Sequence, residues 1–572
     1  VCAVSRSTNF YYTHLNTRTH TRLLYFTEHD TCSPILLLPP EHNTCPPILL
    51  QVLPYMSTIP LFSQVCMNQC SGHGECRQGF CMCDPGWYGH DCAQRKKGAH
   101  ASPGDVLKAR PWLKHVLQPV PAALPPSERP FRNRPFIYVY DLPPEFNAHM
   151  MQYRVDKHLC TSRVFEASNV SRFVNYAYSL ETHFHELMLT SEHRTLDPNE
   201  ADYFYVPVHV SCLADVIGKA DKPIFPDDVP GVGMWHFRVY HMSMMMREAW
   251  KWISTNLPYW DRKKGTDHIW LMTHDEGACY APVEIWNSVL ITHWGRLDMP
   301  HGSNSSYPAD DYSRERQHPS LPHGWLADSS QAHPCHDPNR HLVVPVFKPP
   351  EHYRQSIYLG GPQLPRDIFL FFRGDIGLNR PGCKYSRCTR QKLWDVLYKK
   401  KDMWLREKHV NIVFGGGQEA PGDYSNLLSR SKFCLVLTGD GWSARYEDST
   451  SHGCIPVIIM DNTLGPFESQ IDYSKFAIRI GEHHLGSIVD TLLAIPPEAV
   501  AGMQANLADA WMRFKWSSHQ LVQDHVSKIM ESNQIQRRAD LTGPGIKWAP
   551  TGENDAFSTV MQWLFHKLEA QV

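Results

Sequence analysis

Arg445, Glu447 and Asp448 stand within four positions of one another in the stretch 431–461. An arginine beside a carboxylate pair suits one kind of chemistry. The guanidinium takes a phosphate in charge-assisted hydrogen bonds, and a carboxylate accepts from the hydroxyls of a ribose. The neighbouring residues predict where these groups stand. Residues 433–437 are a short apolar run with a β-branched member, the pattern of a buried strand. Thr438-Gly439-Asp440-Gly441 ends it with turn chemistry. Residues 443–451 lack Pro and Gly and read as a helix, with Ser443 placed to cap it and Gly453 to end it. Ile455-Pro456-Val457-Ile458-Ile459 is a second strand, with Pro456 near its start, where a missing N–H is tolerated. Strand, turn, helix and strand make one unit of an open parallel α/β sheet, whose ligands bind beyond the carboxyl ends of the strands. On spacing alone, an ion-paired helix surface accounts for the same charges equally well.

A second set comes after the strand predicted over 269–272: His274, Asp275 and Glu276, each able to take a proton from an attacking hydroxyl. Further cations stand at Arg373, closing a strand over 367–372, and at Arg390, before a helix over 391–400. Gly415-Gly416-Gly417, after a strand over 410–414, reads first as a plain turn and second as a close backbone approach to phosphate. No D-x-D pair occurs in the chain, and Asp227-Asp228 and Asp310-Asp311 lie in polar stretches. A diphosphate held through a metal between such paired aspartates is therefore not expected. His333-Pro334-Cys335-His336-Asp337 offers ligand types, yet it leads into a strand over 342–347 and reads as structural.

The chain has 572 residues, room for two or three domains, and a net charge of −2, which favours neither nucleic acid nor an anionic membrane. Seventeen cysteines are many. Six of them, Cys66, Cys70, Cys76, Cys81, Cys83 and Cys92, crowd a glycine-rich segment too short to fold without staples, which argues for an oxidising compartment. Six cysteines allow fifteen pairings, and spacing alone selects none. A zinc knuckle is disfavoured because His73 and His90 do not complete a ligand set. Asn169 and Asn304 open glycosylation sequons. Residues 1–65 show no period, and Cys2, Cys32 and Cys45 there have no evident partners. Residues 46–62 are uncharged but carry four prolines, a poor membrane span; an anchor is expected to be missing from this sequence. Residues 94–133 are proline-rich and read as a semi-rigid spacer that holds the cysteine-rich segment away from the larger C-terminal portion. The stretch 298–330 reads as a long surface loop.

Phe433, Cys434, Leu435, Gly439, Asp440, Ser443, Arg445, Asp448, Gly453, Cys454, Ile455, Pro456 and Val457 form a pattern that resembles the nucleotide-sugar-binding part of the exostosin family of glycosyltransferases. RPFIYVYDLPPEFN (134–147), DPNEADYFYVPVHV (197–210), PYWDRKKGTDHIWLMTHDEGACY (258–280) and Tyr385-Ser386 with Arg390-Gln391 resemble other family segments, in order, over 134–530. Leu437 departs from the family's usual Pro. Glu447 beside Asp448 leaves two acids for one role, although Asp448 occupies the family's acidic position. The cysteine-rich segment, with Asp84-Pro85-Gly86-Trp87-Tyr88-Gly89, resembles an EGF-like module. That resemblance implies the pairs Cys66–Cys76, Cys70–Cys81 and Cys83–Cys92; Gln64 and Val65 stand where a calcium-binding version has acids.

The resemblance implies an α/β fold of two Rossmann-like lobes (GT-B) behind the module. Expected boundaries are 1–65 irregular, 66–92 module, 93–133 stem, 134–350 acceptor lobe, 351–530 nucleotide-sugar lobe and 531–572 a helical tail returning to the first lobe. It implies inverting transfer from a nucleoside-diphosphate sugar, a UDP-sugar in most of the family, to a glycan or glycoprotein acceptor. No tightly bound cofactor or nucleic acid is expected. Residence in the Golgi lumen on a type II anchor is implied by the family, with oligomers possible. The implied roles are diphosphate binding at Arg445, then Arg373, then Arg390; ribose binding at Asp448 or Glu447; support from Gly439 and Ser443; and a base at Asp275 or His274, with Glu276 beside them. The competing reading is a catalytically inactive carbohydrate- or matrix-binding protein. A secreted signalling ligand is a distant third.

Overall fold

The computed structural model describes residues 67–77, 80–95, 134–152, 160, 163–165, 171–173, 176–191, 193–218, 238–315, 333–380, 382–516 and 555–569. Expectations for residues 1–66, the spacer 96–133, Asn169 and Asp227-Asp228 lie outside them, as does the Cys66–Cys76 pair.

The fold is mixed α/β around two parallel sheets. The first holds six strands, β1 (Ile137–Val139), β2 (Arg194–Thr195), β3 (Tyr203–Val206), β4 (His268–Met272), β5 (Val289–Thr292) and β6 (Leu342–Val343), in the order β6-β5-β4-β3-β1-β2. Its members pair in parallel throughout. The second holds β7 (Ile368–Arg373), β8 (Ile412–Gly415), β9 (Ser431–Leu437), β10 (Ile455–Ile459) and β11 (Ile478–Arg479), in the order β8-β7-β9-β10-β11 and again parallel. β3, β4 and β10 are buried at every residue, as expected of strands covered on both faces. Helix α1 (Leu180–Thr190) and helix α2 (Arg238–Asn256) cover the first sheet, with Leu180, Phe184 and Leu187 on one face and Val239, Met242 and Met246 on the other.

In the second sheet, the strand–turn–helix–strand unit runs β9, then helix α3 (Arg445–Ser451), then β10. Gly453 takes a left-handed φ of +66° where the helix ends. Ser443 does not cap it; the cap position is Ala444, with no side-chain bond. The helix expected over 391–400 is instead an α-turn at Thr389–Leu393 running into a π-helical turn at Trp394–Tyr398. The strand expected over 342–347 is only two residues long. Pro345 lacks an N–H, and Val346 gives its own to Glu447.

Helix α4 (Ala556–Glu569) buries Ala556, Phe557, Val560, Trp563 and Leu564 in the core of the first sheet. Gly295–Arg296 pairs antiparallel with Thr463–Leu464, a short ladder tying the first half to the second. All eight cysteines from Cys160 to Cys454 are paired: Cys160–Cys212, Cys279–Cys335, Cys383–Cys388 and Cys434–Cys454. The module shows Cys70–Cys81 and Cys83–Cys92. The module is not held away from the first sheet: Asp91 forms a buried ion pair with Arg194, and Gln94 Nε2 donates to the Val139 carbonyl.

Among the described residues no single helix is long and apolar enough to cross a membrane. A bent pair, Leu485–Leu493 with Pro497–Phe514, passes on length and composition together, at an angle of 97°. Its Ile488, Val489, Leu492, Leu507 and Phe514 lie in the second sheet's core.

Candidate active site

The carboxyl ends of the two sheets meet. The loop after β9 brings Gly441 against the main chain of Asp275, so closely that a β-carbon there would overlap the Asp275 carbonyl. Trp442 Nε1 donates to the Thr273 carbonyl at 3.0 Å, and Ser306 N to Asp440 Oδ1 at 2.5 Å. Arg380 Nη1 holds the other Asp440 oxygen at 2.9 Å.

On the second-sheet side two guanidiniums lie together. Arg445 Nη2 donates to the Arg373 carbonyl at 2.8 Å, and its cation lies 4.7 Å from the Phe372 ring centroid. Gly374 leaves that room, since a β-carbon would overlap the guanidinium. Arg390 crosses the same ring at 5.1 Å and donates to the Asp375 carbonyl, Leu437 carbonyl and Tyr385 hydroxyl. Among the described residues neither arginine is held by a carboxylate hydrogen bond. Burial, then the neighbouring Arg445 charge, pull Arg390 down to about 10. Gly439 packs on Arg390. Arg373 is not gathered here: its guanidinium stacks on Tyr424 and donates to the Gly422 carbonyl. The structure therefore puts Arg390, third in the sequence ranking, ahead of Arg373.

Six buried polar atoms around the start of α3 have no hydrogen-bond partner among the described residues: Arg445 Nε, Arg390 Nε, Ser443 Oγ, Thr438 Oγ1, Glu447 Oε2 and, turned into the core, Tyr446 Oη. The two acids differ sharply. Asp448 is engaged on both oxygens, by His352 Nε2 at 2.6 Å and Lys348 Nζ at 3.4 Å on one, and by the Tyr424 hydroxyl at 2.8 Å on the other. Burial opposes its charge, but Lys348, His352 and Tyr424 outweigh it and hold the carboxyl well below the usual range. Glu447 uses only Oε1, on the Val346 N–H at 2.8 Å; burial pushes it up to about 8. Glu447 is thus the acid with an uncommitted oxygen, although Asp448 holds the position matched by spacing. Gly415-Gly416-Gly417 closes as a turn, Gly416 N donating to Glu419 Oε2 at 2.9 Å.

On the first-sheet side β4 delivers His274, Asp275 and Glu276. Asp275 is the partly exposed one, and burial raises it to about 6 against the opposing His274. Glu276 accepts from the Ser303 hydroxyl and from Ser305 N at 3.1 Å; burial raises it to about 7. His274 Nε2 lies 3.5 Å from Asp310 Oδ1, which is also ion-paired to Arg238. Burial would lower His274, but Asp310 and Asp275 raise it overall. Asp310 and Ser303 belong to the stretch expected to be a surface loop. Residues 298–315 instead return to the site, with Asp310 buried. Tyr178 stacks on His274 at 5.8 Å and meets Trp442 edge-on at 6.3 Å. Trp442, Lys348, His352 and Tyr424 were not singled out by sequence reasoning; only Trp442, an aromatic in an otherwise polar turn, carried a local signal. Asn304 lies on this same returning segment with Nδ2 buried. His301, near the Cys279–Cys335 bridge, spends both ring nitrogens on Tyr312 and the His333 carbonyl, so that cluster is structural.

A cation pair at the carboxyl end of one sheet and a carboxylate with a raised pKa at that of the other, joined along a seam with aromatic walls, fit transfer of a group from an activated phosphate ester. Residues 132–495 match the Exostosin GT47 domain, and residues 66–95 match a Teneurin-like EGF domain. Among curated proteins, a probable beta-1,4-xylosyltransferase IRX10L of Arabidopsis thaliana is 28% identical over 66% of this chain and 75% of its own. A probable glucuronosyltransferase of Oryza sativa subsp. japonica is 27% identical over the same shares. A probable glucuronoxylan glucuronosyltransferase IRX7 of Arabidopsis thaliana is 28% identical over 66% and 70%. With more than half its length matched, the chain belongs to the exostosin GT47 family and is a glycosyltransferase carrying an EGF-like module.

Proposed function

We propose that the protein is an inverting, metal-independent glycosyltransferase that moves a pentosyl or hexosyl unit from a UDP-sugar to a glycan or glycoprotein acceptor. Its two sheets are read as the two Rossmann-like lobes of a GT-B enzyme, with 134–350 the acceptor half, 351–530 the donor half, 66–92 the module, 93–133 the stem and 531–572 the tail. The diphosphate is assigned to Arg445 and Arg390, and the ribose hydroxyls to Glu447, with Asp448 positioning the start of α3. Asp275 is assigned as base, with His274 beside it. The acceptor oxygen forms a bond to the anomeric carbon as its proton passes to Asp275. The anomeric C–O bond breaks, and UDP leaves with the electron pair against the two guanidiniums. The six disulfides among the described residues support a secretory compartment, assigned as the Golgi lumen with a type II anchor.

One observation carries this reading: Arg445 Nε, Arg390 Nε, Ser443 Oγ, Thr438 Oγ1 and Glu447 Oε2, on or beside one short helix, are all buried and unpartnered among the described residues, whereas buried polar atoms in folded proteins are nearly always paired. Calorimetry with UDP tests it. The wild type is expected to bind, and Arg445→Ala and Arg390→Ala each to lose about 1.5–3 kcal/mol, the worth of a hydrogen bond to a charged group. A wild-type chain that ignores UDP would instead support the inactive carbohydrate-binding protein.

A further inference from the structure

A cavity of about 260 Å³ lies where the EGF-like module meets the first sheet. The module supplies Gly89, His90 and Asp91; the sheet side supplies Asp141, just beyond β1, and α1 supplies His185. The cavity sits at a special place in the topology. The chain goes from β1 to β2 on one side and then to β3 on the other, so the strand order reverses between β1 and β3. Open α/β sheets bind ligands in the crevice outside the carboxyl ends of the strands at such a reversal. In the second sheet the corresponding reversal, between β7 and β9, holds the arginine pair. In the first it holds this cavity, and the module forms its outer wall.

The lining is polar and incompletely paired. No described residue donates a hydrogen bond to the Asp141 carboxylate, which burial and the Asp91 charge push up to about 6. His90 and His185 face each other at 5.0 Å between ring centroids, both lowered by burial. Arg194 and Asp91 neutralise one another. Neutral imidazoles and one carboxylate in a space just under the range of ordinary ligand pockets suit a small uncharged unit rich in hydroxyls. β1 is separated from β4 by β3 alone, so Asp141 and Asp275 end strands about 10 Å apart along one edge of the sheet. That is the span of a short oligosaccharide.

We propose that the module and the carboxyl end of β1 together form a subsite for a neutral sugar ring of the acceptor glycan, one or more residues away from the reacting end. This rests on the glycosyltransferase reading for its purpose but not for its binding chemistry. The module is then part of the substrate-binding surface.

The test is saturation-transfer NMR on the full chain with xylohexaose and with arabino-, galacto- and gluco-hexaoses, beside separate UDP calorimetry. At least one hexaose is expected to bind. Asp141→Asn and His90→Gln, one from each wall, are each expected to weaken it by about tenfold, the loss of one hydrogen bond to a polar or charged group. Retained UDP binding shows that the variants are folded. If no hexaose binds the wild type, or if neither substitution changes the affinity, the subsite is overturned while the nucleotide site stands. If hexaose binds through these residues and UDP does not bind at all, the subsite stands and the transferase mechanism falls.

Discussion

Glu447 and Asp448 show how two adjacent acids on one helical turn acquire opposite characters. Asp448 has cationic and hydroxyl partners on both oxygens, so the fold favours its charge. Glu447 has one backbone donor and an uncommitted oxygen, so the fold favours its proton. A carboxyl raised from 4.5 to about 8 makes the folded state bind more protons, so stability falls between those pH values and levels off above them. Glu447→Gln keeps the Oε1 acceptor and removes that penalty. At pH 8 it is expected to exceed the wild type by up to on the order of 4 kcal/mol, the gap closing near pH 4.5. Asp448→Asn goes the other way, because a lowered carboxyl stabilises above its unfolded pKa. It is expected to cost about 3 kcal/mol at neutral pH by stranding Lys348, and less as the pH falls below the ordinary aspartate range. Calorimetric melting of both variants across pH checks this; parallel losses at pH 8 would refute the assignment.

The unit β9–α3–β10 is the element that places the arginines, and its neighbour β7 supplies the floor. Gly374, directly after β7, leaves space: a β-carbon would overlap the far end of the Arg445 side chain, which can swing away, and would touch the Phe372 ring at 3.2 Å, a few tenths of an ångström too close. Gly374→Ala is therefore expected to fold with a melting temperature close to that of the wild type, yet to lose about as much UDP affinity as Arg445→Ala, about 1.5–3 kcal/mol. Melting and UDP calorimetry on the same preparation separate the two. The unit was readable in the sequence because its signals are local: an apolar run, a turn, a polar helix, a glycine at φ +66° and a second apolar run. The short strand β2 and the turn of helix Tyr424–Ser429 were not read, since two to six residues carry too little periodicity.

At the scale of the molecule, the proposed transfer depends on two sheet ends held in register. Gly441 against Asp275 is backbone on backbone, so nothing there can turn aside. Gly441→Ala is expected to push the halves apart and reduce turnover about a hundredfold, the cost of a misplacement near 1 Å, while UDP binding on the second-sheet side persists. Steady-state transfer beside UDP calorimetry checks it; unchanged turnover would mean that the seam is not the reaction site. The proposed mechanism gives charge compensation to Arg390 and Arg445. EDTA is accordingly expected to leave transfer largely intact, and full loss with rescue by Mn²⁺ would contradict that.

The sequence by itself determined the family pattern, the cysteine-rich module and the strand–turn–helix–strand unit that carries Arg445, Glu447 and Asp448. All of these are written in runs, spacings and turns a few residues long. Tertiary structure alone decided that Arg390 joins Arg445 while Arg373 turns away. It also decided which of two adjacent acids keeps a proton, that residues 298–315 fold back onto His274 and Glu276, and that the module packs on β1. The physical reason is common to all four. A pKa, an unpaired donor or a cavity wall depends on groups brought together from distant positions, 103 apart for Asp91 and Arg194 and 169 apart for Thr273 and Trp442, and no local pattern records which distant partner arrives.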